Sequence, residues 1–576
     1  MHARDTIVAV CLALLSASAF AESKFELDIQ GVGQEFEQTV RANVTLEQFV
    51  GREVNEAQAR RLLVPGENQI RHSLEAHGFY DVEVAGRLET GPDRLRAIYA
   101  VTLGKPVLVQ SSDVRVVGEA ENLPAVRRAL REFTPRLRQR LDHETYESSK
   151  AAIQNALGDH GFLAAELRTH RVEVTTATHS AAIDLSWESG PRHRFGEAAF
   201  SEAQFPPEFL QRFVGWEPDD YFASEELIDL QRRLVQADYF SSVIVQPRVT
   251  RGETTVPVDI ELTPAKRNIY TGSLYASTDT GLGVKLGLER RWLNRRGHKF
   301  RGTLDIAQRL QAGELAYGVP LPGRDKHSLN FGATYRDETT DTSVSRTQKL
   351  VVGESREWLG FTRTLSVNFL SGDFEIGSER GNSTLLYAEG GLARSRSNDP
   401  AFPTRGYSLY LGARVAPAST VTSTRFAGVG FRARWLRGIG NRSRVLLRTS
   451  LGAMQVDDFD ELPPDLRFFC GGDRSIRGFD YQAIGSTNEA GDIIGGNNKI
   501  EGSVEFEHYF KKDWGAAAFV DAGDAFRGDD FAANVGVGMG LRWKSPVGVL
   551  RLDFAYPVHT DLEQSFRIHL TLGPDL

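Results

Sequence analysis

The spacing of hydrophobic positions changes period near residue 265. Before that point, QIRHSLEAH, SKAAIQNAL and EELIDLQRRL carry apolar residues at three- and four-residue intervals, the pattern of amphipathic helices. Each leads into a related segment: residues 74–84 read LEAHGFYDVEV, 157–167 LGDHGFLAAEL and 234–245 LVQADYFSSVIV. An alternating stretch follows each copy (LRAIYAVTL, SAAIDLSWES, TVPVDIELT) and predicts a paired strand. Phe79, Phe162 and Tyr239 set the copies roughly 80 residues apart, so one small α/β unit is used three times, over 22–104, 105–190 and 191–265. Gly78 and Gly161 suit the left-handed position that ends a helix, whereas Asp238 stands there in the third copy and tolerates it less well. The plainest role for these anchors is packing within each module.

From about Asn268 the period becomes two, punctuated by glycine, in sixteen runs of eight or more residues from NIYTGSLYAST to FRIHLTLG. In the last run Phe566, Ile568, Leu570 and Leu572 share one face, and Arg567, His569 and Thr571 the other. In lipid, a closed barrel leaves no strand edge unpaired, and an even strand number suits one. A soluble sandwich or propeller competes, but glycine and polar residues crowd the face such folds bury. The predicted fold class is therefore α+β modules followed by an all-β 16-stranded transmembrane barrel over 266–576.

One stretch breaks the alternation: GGDRSIRGFDYQ, within a long connection at 457–498 between the eleventh and twelfth strands. Connections beyond about 15 residues without structure of their own are usually functional or disordered. Strand parity points Glu505 and Asp521 inward, because carboxylates facing lipid are costly. Arg477 of the connection, followed by Gly478 and Phe479, carries a donor fork that suits either Glu505 or Asp521. The expectation is a loop folded into a watery bore and latched there by Arg477. The final strand stops at Gly573-Pro574, and proline cannot donate to a ladder, so the seam between the first strand (Ile269, Tyr270) and the last (Leu570) should be weak.

The amino terminus adds a compartment. One early cation, Arg4, an apolar run from Thr6 to Leu15 and a small-residue end at Ala19-Phe20-Ala21 read as a secretory signal over 1–21. Removal of that segment takes Cys11 and leaves Cys470 alone, so no internal disulfide is expected. A net charge of −8 argues against a nucleic-acid partner.

These motifs resemble the outer-membrane assembly superfamily with periplasmic POTRA domains. SIRGF at 475–479 is similar to its loop signature, FVDAGDAF at 519–526 to its thirteenth-strand signature, and PTRGYSLYL from Pro403 to its mid-barrel element. GGNNKIEGSVEFE supplies the glycines and Glu505 that precede the second of these. Three repeats, YASTDTG, RRWLNRRGH and the LGPDL terminus narrow the resemblance to the TamA branch, with Asp238 a departure from the glycine of the third repeat. The resemblance implies assembly or insertion of autotransporters and other β-barrel clients in the outer membrane. It also implies a TamB-like inner-membrane-anchored partner at the POTRA region and no cofactor.

Other chemistry finds little footing. HETYE at 143–147 has Glu where a zinc motif needs its second His, so no metal site is expected. Gly281, Gly283 and Gly287 precede no helix, no G-x-S-x-G elbow occurs, and Cys470 has no histidine signature, so no catalytic residues are expected. The rival functions are a polypeptide-secreting or passive pore of the two-partner type, an enzyme fused to a barrel, and a structural tether.

Overall fold

The computed structural model describes residues 24–573 apart from 92–93, 322–325, 400–401, 546–547, 561 and 563–564; the expected signal segment and Pro574 lie outside the described residues. The chain forms two compact units, one of residues up to Glu197 with Trp216–Ile228 and Pro247–Val258, the other of Ala198–Gly215, Asp229–Gln246 and Asp259–Leu576.

The first unit holds two three-stranded sheets built alike. In each, the alternating stretch legible in the sequence is the central strand: Arg94–Thr102 lies between Lys24–Gln30 (parallel) and Glu83–Thr90 (antiparallel), and Ser180–Glu188 between Leu108–Val117 and Glu166–Thr175. Alternation puts Ala181, Ile183, Leu185 and Trp187 on one buried face, in a core shared with Ile153 and Leu157 of the helix His143–Asp159. Asn55 and Asp142 cap the two long helices by accepting from Ala57 N–H (2.8 Å) and Thr145 N–H (3.0 Å). A third sheet, Arg194–Phe200, Thr255–Pro264 and Phe240–Pro247, repeats the order. The first strand of each sheet, parallel to the central one in the first two, is an element that the sequence pattern did not reveal.

Helix ends divide the glycine positions from the aspartate one. Gly78 and Gly161 have φ of 86° and 90°, and a Cβ on Gly78 would meet the Leu141 carbonyl oxygen at 2.4 Å. Asp238 takes the same left-handed conformation, φ 62°, and its carboxylate accepts from Arg291 Nε at 2.8 Å. Aspartate tolerates this region better than most side chains. Here it also gains a charged partner from the RRWLNRRGH turn, so the departure from glycine has a physical reason.

In the second unit, sixteen described strands close in chain order into an all-antiparallel barrel, from Asn268–Ser277 to Arg567–Gly573. Parity sorts the two faces: on the seventh strand, Phe361–Ile376, Leu365 and Val367 are about half exposed while Asn368 is buried. Trp358, Trp435, Trp514 and Trp543 are partly exposed near the end at which the chain enters the barrel, as an interfacial aromatic belt requires.

The ladders are unequal. The sixth strand, Ser343–Trp358, pairs with the seventh along its whole length, whereas among the described residues the first strand meets the last at one register pair, Ser277↔Thr571. That register corrects the expected geometry of the seam. Because Ser277 is the far end of its strand and Thr571 lies near the close of a seven-residue strand, Ile269 and Tyr270 run past Leu570 and Gly573 rather than opposite them.

Candidate functional site

The connection between the eleventh strand, Ser443–Val456, and the twelfth, Asn498–His508, lies within the bore. It carries more order than its composition suggests. Isolated bridges Phe468↔Gly496, Cys470↔Ile484 and Thr487↔Ile493 fold it into a rough hairpin, with a helical turn at Pro464–Leu466. Charge is not the loop's only anchor. Phe459, Leu462, Leu466 and Ile494 of the loop pack with wall residues including Leu370, Phe374, Tyr387 and Phe426, and a second dry cluster joins Cys470, Ile476, Phe479, Ile484 and Ala525. Apolar residues scattered singly through a long loop give no periodic signal, which is why the sequence concealed these anchors.

Arg477 stands at the tip, 2% exposed. It does not choose between the two expected carboxylates. Its Nε and Nη2 donate to both oxygens of Asp521 (2.7 and 3.0 Å), while Nη1 donates to Glu505 (2.7 Å) and to Asp553 (3.0 Å). The Arg477 backbone N–H adds a bond to Asp521 (3.1 Å), and the guanidinium lies 3.4 Å from the centroid of the Phe519 ring. Charges then alternate along the wall: Arg542 donates to Glu505 (2.6 Å), Asp553 (2.5 Å) and Glu507 (3.0 Å), and Glu507 also takes Arg444 (2.5 Å). In such surroundings each buried charge is tolerated because its opposite is in contact. Asp553, Arg542 and Arg444 were not anticipated. The parity argument that turned Glu505 inward applies equally to the run GVLRLDFAYPV, where Asp553 shares a face with Arg551 and alternates with Leu552 and Phe554.

Two close approaches seat the tip. A Cβ on Gly536 of the fourteenth strand would stand 1.9 Å from the Arg477 carbonyl oxygen. Gly478, at φ 96°, lies against the backbone of Tyr556 and Pro557 on the fifteenth strand, so a side chain there meets both strain and contact.

The same loop touches both strands of the seam. Gly478 N–H donates to His569 Nε2 (3.0 Å) on the last strand, which leaves Nδ1–H to donate to Asp473 (2.7 Å). Asp473 also accepts from Ser277 Oγ (2.8 Å) and the Thr278 hydroxyl at the end of the first strand. One loop carboxylate thus spans the weakest ladder of the barrel. His569, Asp473 and Ser277 were not among the expected site residues, because partners about 100 and 200 positions apart share no local pattern.

Asp279, in the turn after the first strand, completes this contact by accepting the Asp473 backbone N–H (3.0 Å). Burial, and then the negative charge of Asp473, push the Asp279 carboxyl up to about 8. Burial opposes ionisation of Asp473 too, but bonds from His569, Thr278 and Ser277 hold it below the usual range. A carboxyl protonated to about pH 8 when folded, and only to about pH 4 when free, binds more protons in the folded state between those values. Its contribution is therefore present in acid and lost as pH rises. Proteolysis of loop 457–498 is expected to increase from about pH 5 to about pH 9, and Asp279→Asn to flatten that rise. An unchanged pH profile in the variant would contradict this source.

A family model, the Omp85 superfamily domain, matches residues 231–575, and a model described as POTRA domain TamA domain 1 matches 26–103. The outer membrane protein assembly factor BamA of Nitratidesulfovibrio vulgaris is 35% identical over 138 residues, 22% of this chain and 17% of that protein. The sorting and assembly machinery component 50 homolog of Mus musculus is 24% identical over 304 residues, 48% of this chain and 63% of that protein. The matches thus span less than two thirds of either relative's length. Among solved structures, BamA from Haemophilus ducreyi lacking POTRA domains 1-3 is similar in fold, with a TM-score of 0.66 and 16% identity over 81% of this chain and 99% of that one.

Proposed function

The chain belongs to the Omp85 superfamily, and from that premise we propose that it assists the insertion of other β-barrel proteins, autotransporters among them, by offering a strand edge at its seam. The barrel lies in the outer membrane with the POTRA modules in the periplasm. The TamA-type first module supports a TamA-like role, with a TamB-like partner docking on the modules. The assembly-factor name of the BamA relative supports outer-membrane protein clients.

The observation that carries this reading is the single Ser277↔Thr571 pair. On its seam side, the first strand from Asn268 to Ala276 has no ladder partner among the described residues, and Tyr270 and Leu274 are each 75% exposed. An unpaired edge templates an incoming strand through main-chain hydrogen bonds. Asp473 and His569 hold the seam at its one closed point, so the loop would act as clasp and Arg477 as the latch that keeps the clasp in register.

The test is reconstitution of the full chain in liposomes with an unfolded barrel client. Insertion faster than in empty liposomes is the expected result. Absence of acceleration together with a large, steady conductance in client-free bilayers would overturn the reading in favour of a two-partner type pore.

A further inference from the structure

A cavity of about 490 Å³ lies within the second unit, between third-module residues and the near rim of barrel strands two to seven. Five cations line it: Arg212 from the helical turn Gln211–Phe213, Arg233 from the helix Ser224–Gln236, Lys299 and Arg301 from the third strand, and Lys326 from the turn before the fifth. Among the described residues two carboxylates join them, Glu289 and Glu357, and Glu289 is engaged by Arg301 at 3.2 Å. The Lys299 ammonium donates to the Ala237 carbonyl (2.6 Å) and lies 4.7 Å from the Tyr239 ring centroid; among the described residues no carboxylate is within ion-pair distance of it. Arg212 lies over Phe209, 5.4 Å from the ring centroid.

Cations converging from four elements on one cavity repel each other unless an anion sits among them. A single carboxylate offers two oxygens, too few for this array, whereas a phosphate accepts several donors at once. The position adds the second half of the argument. Phe300 shares strand parity with Leu304 and Ile306, 45% and 49% exposed toward lipid, while its neighbours Lys299 and Arg301 face the other way. The cavity therefore joins a cationic inner face to the aromatic rim at headgroup depth, and Phe209, Phe213 and Tyr239 give it apolar walls.

We propose that this cavity binds a phosphate group, carried by an anionic phospholipid headgroup or present as free phosphate. The experiment uses the full chain in a zwitterionic detergent, titrated calorimetrically with inorganic phosphate and, separately, with short-chain phosphatidylglycerol, and repeated with Arg212→Gln/Lys299→Gln and with Lys326→Gln. Binding that weakens roughly tenfold or more in the double variant supports the site. Phosphatidylglycerol binding much tighter than phosphate assigns the source to lipid, and equal affinity assigns it to free phosphate. No binding of either, or binding unchanged in both variants while the barrel keeps its heat-modifiable migration, overturns the proposal.

Discussion

Arg477→Ala is expected to release the loop and turn Cys470 from an inert thiol into a reactive one. The substitution leaves Asp521, Glu505 and Asp553 buried and one cation short: Arg542 stays shared between Glu505 and Asp553, and Arg448 reaches Asp521 only at 3.6 Å. Breaking a buried ion pair in this way costs ~3–5 kcal/mol. Cys470 belongs to a dry cluster of the loop, is 1% exposed, and burial pushes its thiol up. Once withdrawn from the bore it ionises more readily and alkylates faster. The only other cysteine in the sequence is Cys11, so maleimide labelling after removal of 1–21 reads Cys470 alone. Arg477→Lys is expected to fall between wild type and alanine, because an ammonium cannot grip both oxygens of Asp521 while reaching Glu505. Labelling of the alanine variant as slow as in wild type, with the barrel still closed, would contradict the latch.

A second large effect is expected from tying the seam. Ser277 and Thr571 are cross-strand partners, a placement within the Cα separation that a disulfide bridges. In a Cys470→Ser background, Ser277→Cys/Thr571→Cys should fold as a barrel, since Asp473 keeps its bonds to His569 and Thr278. Oxidised, it is expected to insert clients no faster than empty liposomes do, and reductant should restore the rate. Full activity in the oxidised form would show that clients enter without parting the first strand from the last.

Much of this architecture could be read from residue periods. A side-chain period of two survives wherever one face meets lipid and the other does not, and each of the sixteen alternating runs corresponds to a strand of the closed barrel. The helix-turn-strand repeat carried the three central strands of the module sheets, because apolar alternation is strongest where a strand is flanked on both sides. The outer parallel strands were not named, since Leu108–Val117 has only Val109 and Val116 buried and alternates poorly.

At the site, parity revealed that Glu505 and Asp521 face inward and that a cation must meet them. It could not decide how many carboxylates one guanidinium gathers, because that depends on three strands arriving at the same depth. Register was equally hidden. A seam held by Ser277↔Thr571, and not by Ile269 or Tyr270 against Leu570, follows from the stagger accumulated around a tilted barrel, which no local segment encodes.

The measurement that bears most directly on the proposed role is photo-crosslinking from the open edge of the first strand. A photoreactive residue in place of Tyr270 or Leu274, in the full chain in liposomes and challenged with a nascent barrel client, should yield adducts to a client strand. The same probe at Leu365, on the lipid face of the seventh strand, should yield none. Equal client adducts at both positions, or adducts to lipid alone at Tyr270 and Leu274 while insertion proceeds, would contradict an edge at the seam as the place where clients pair.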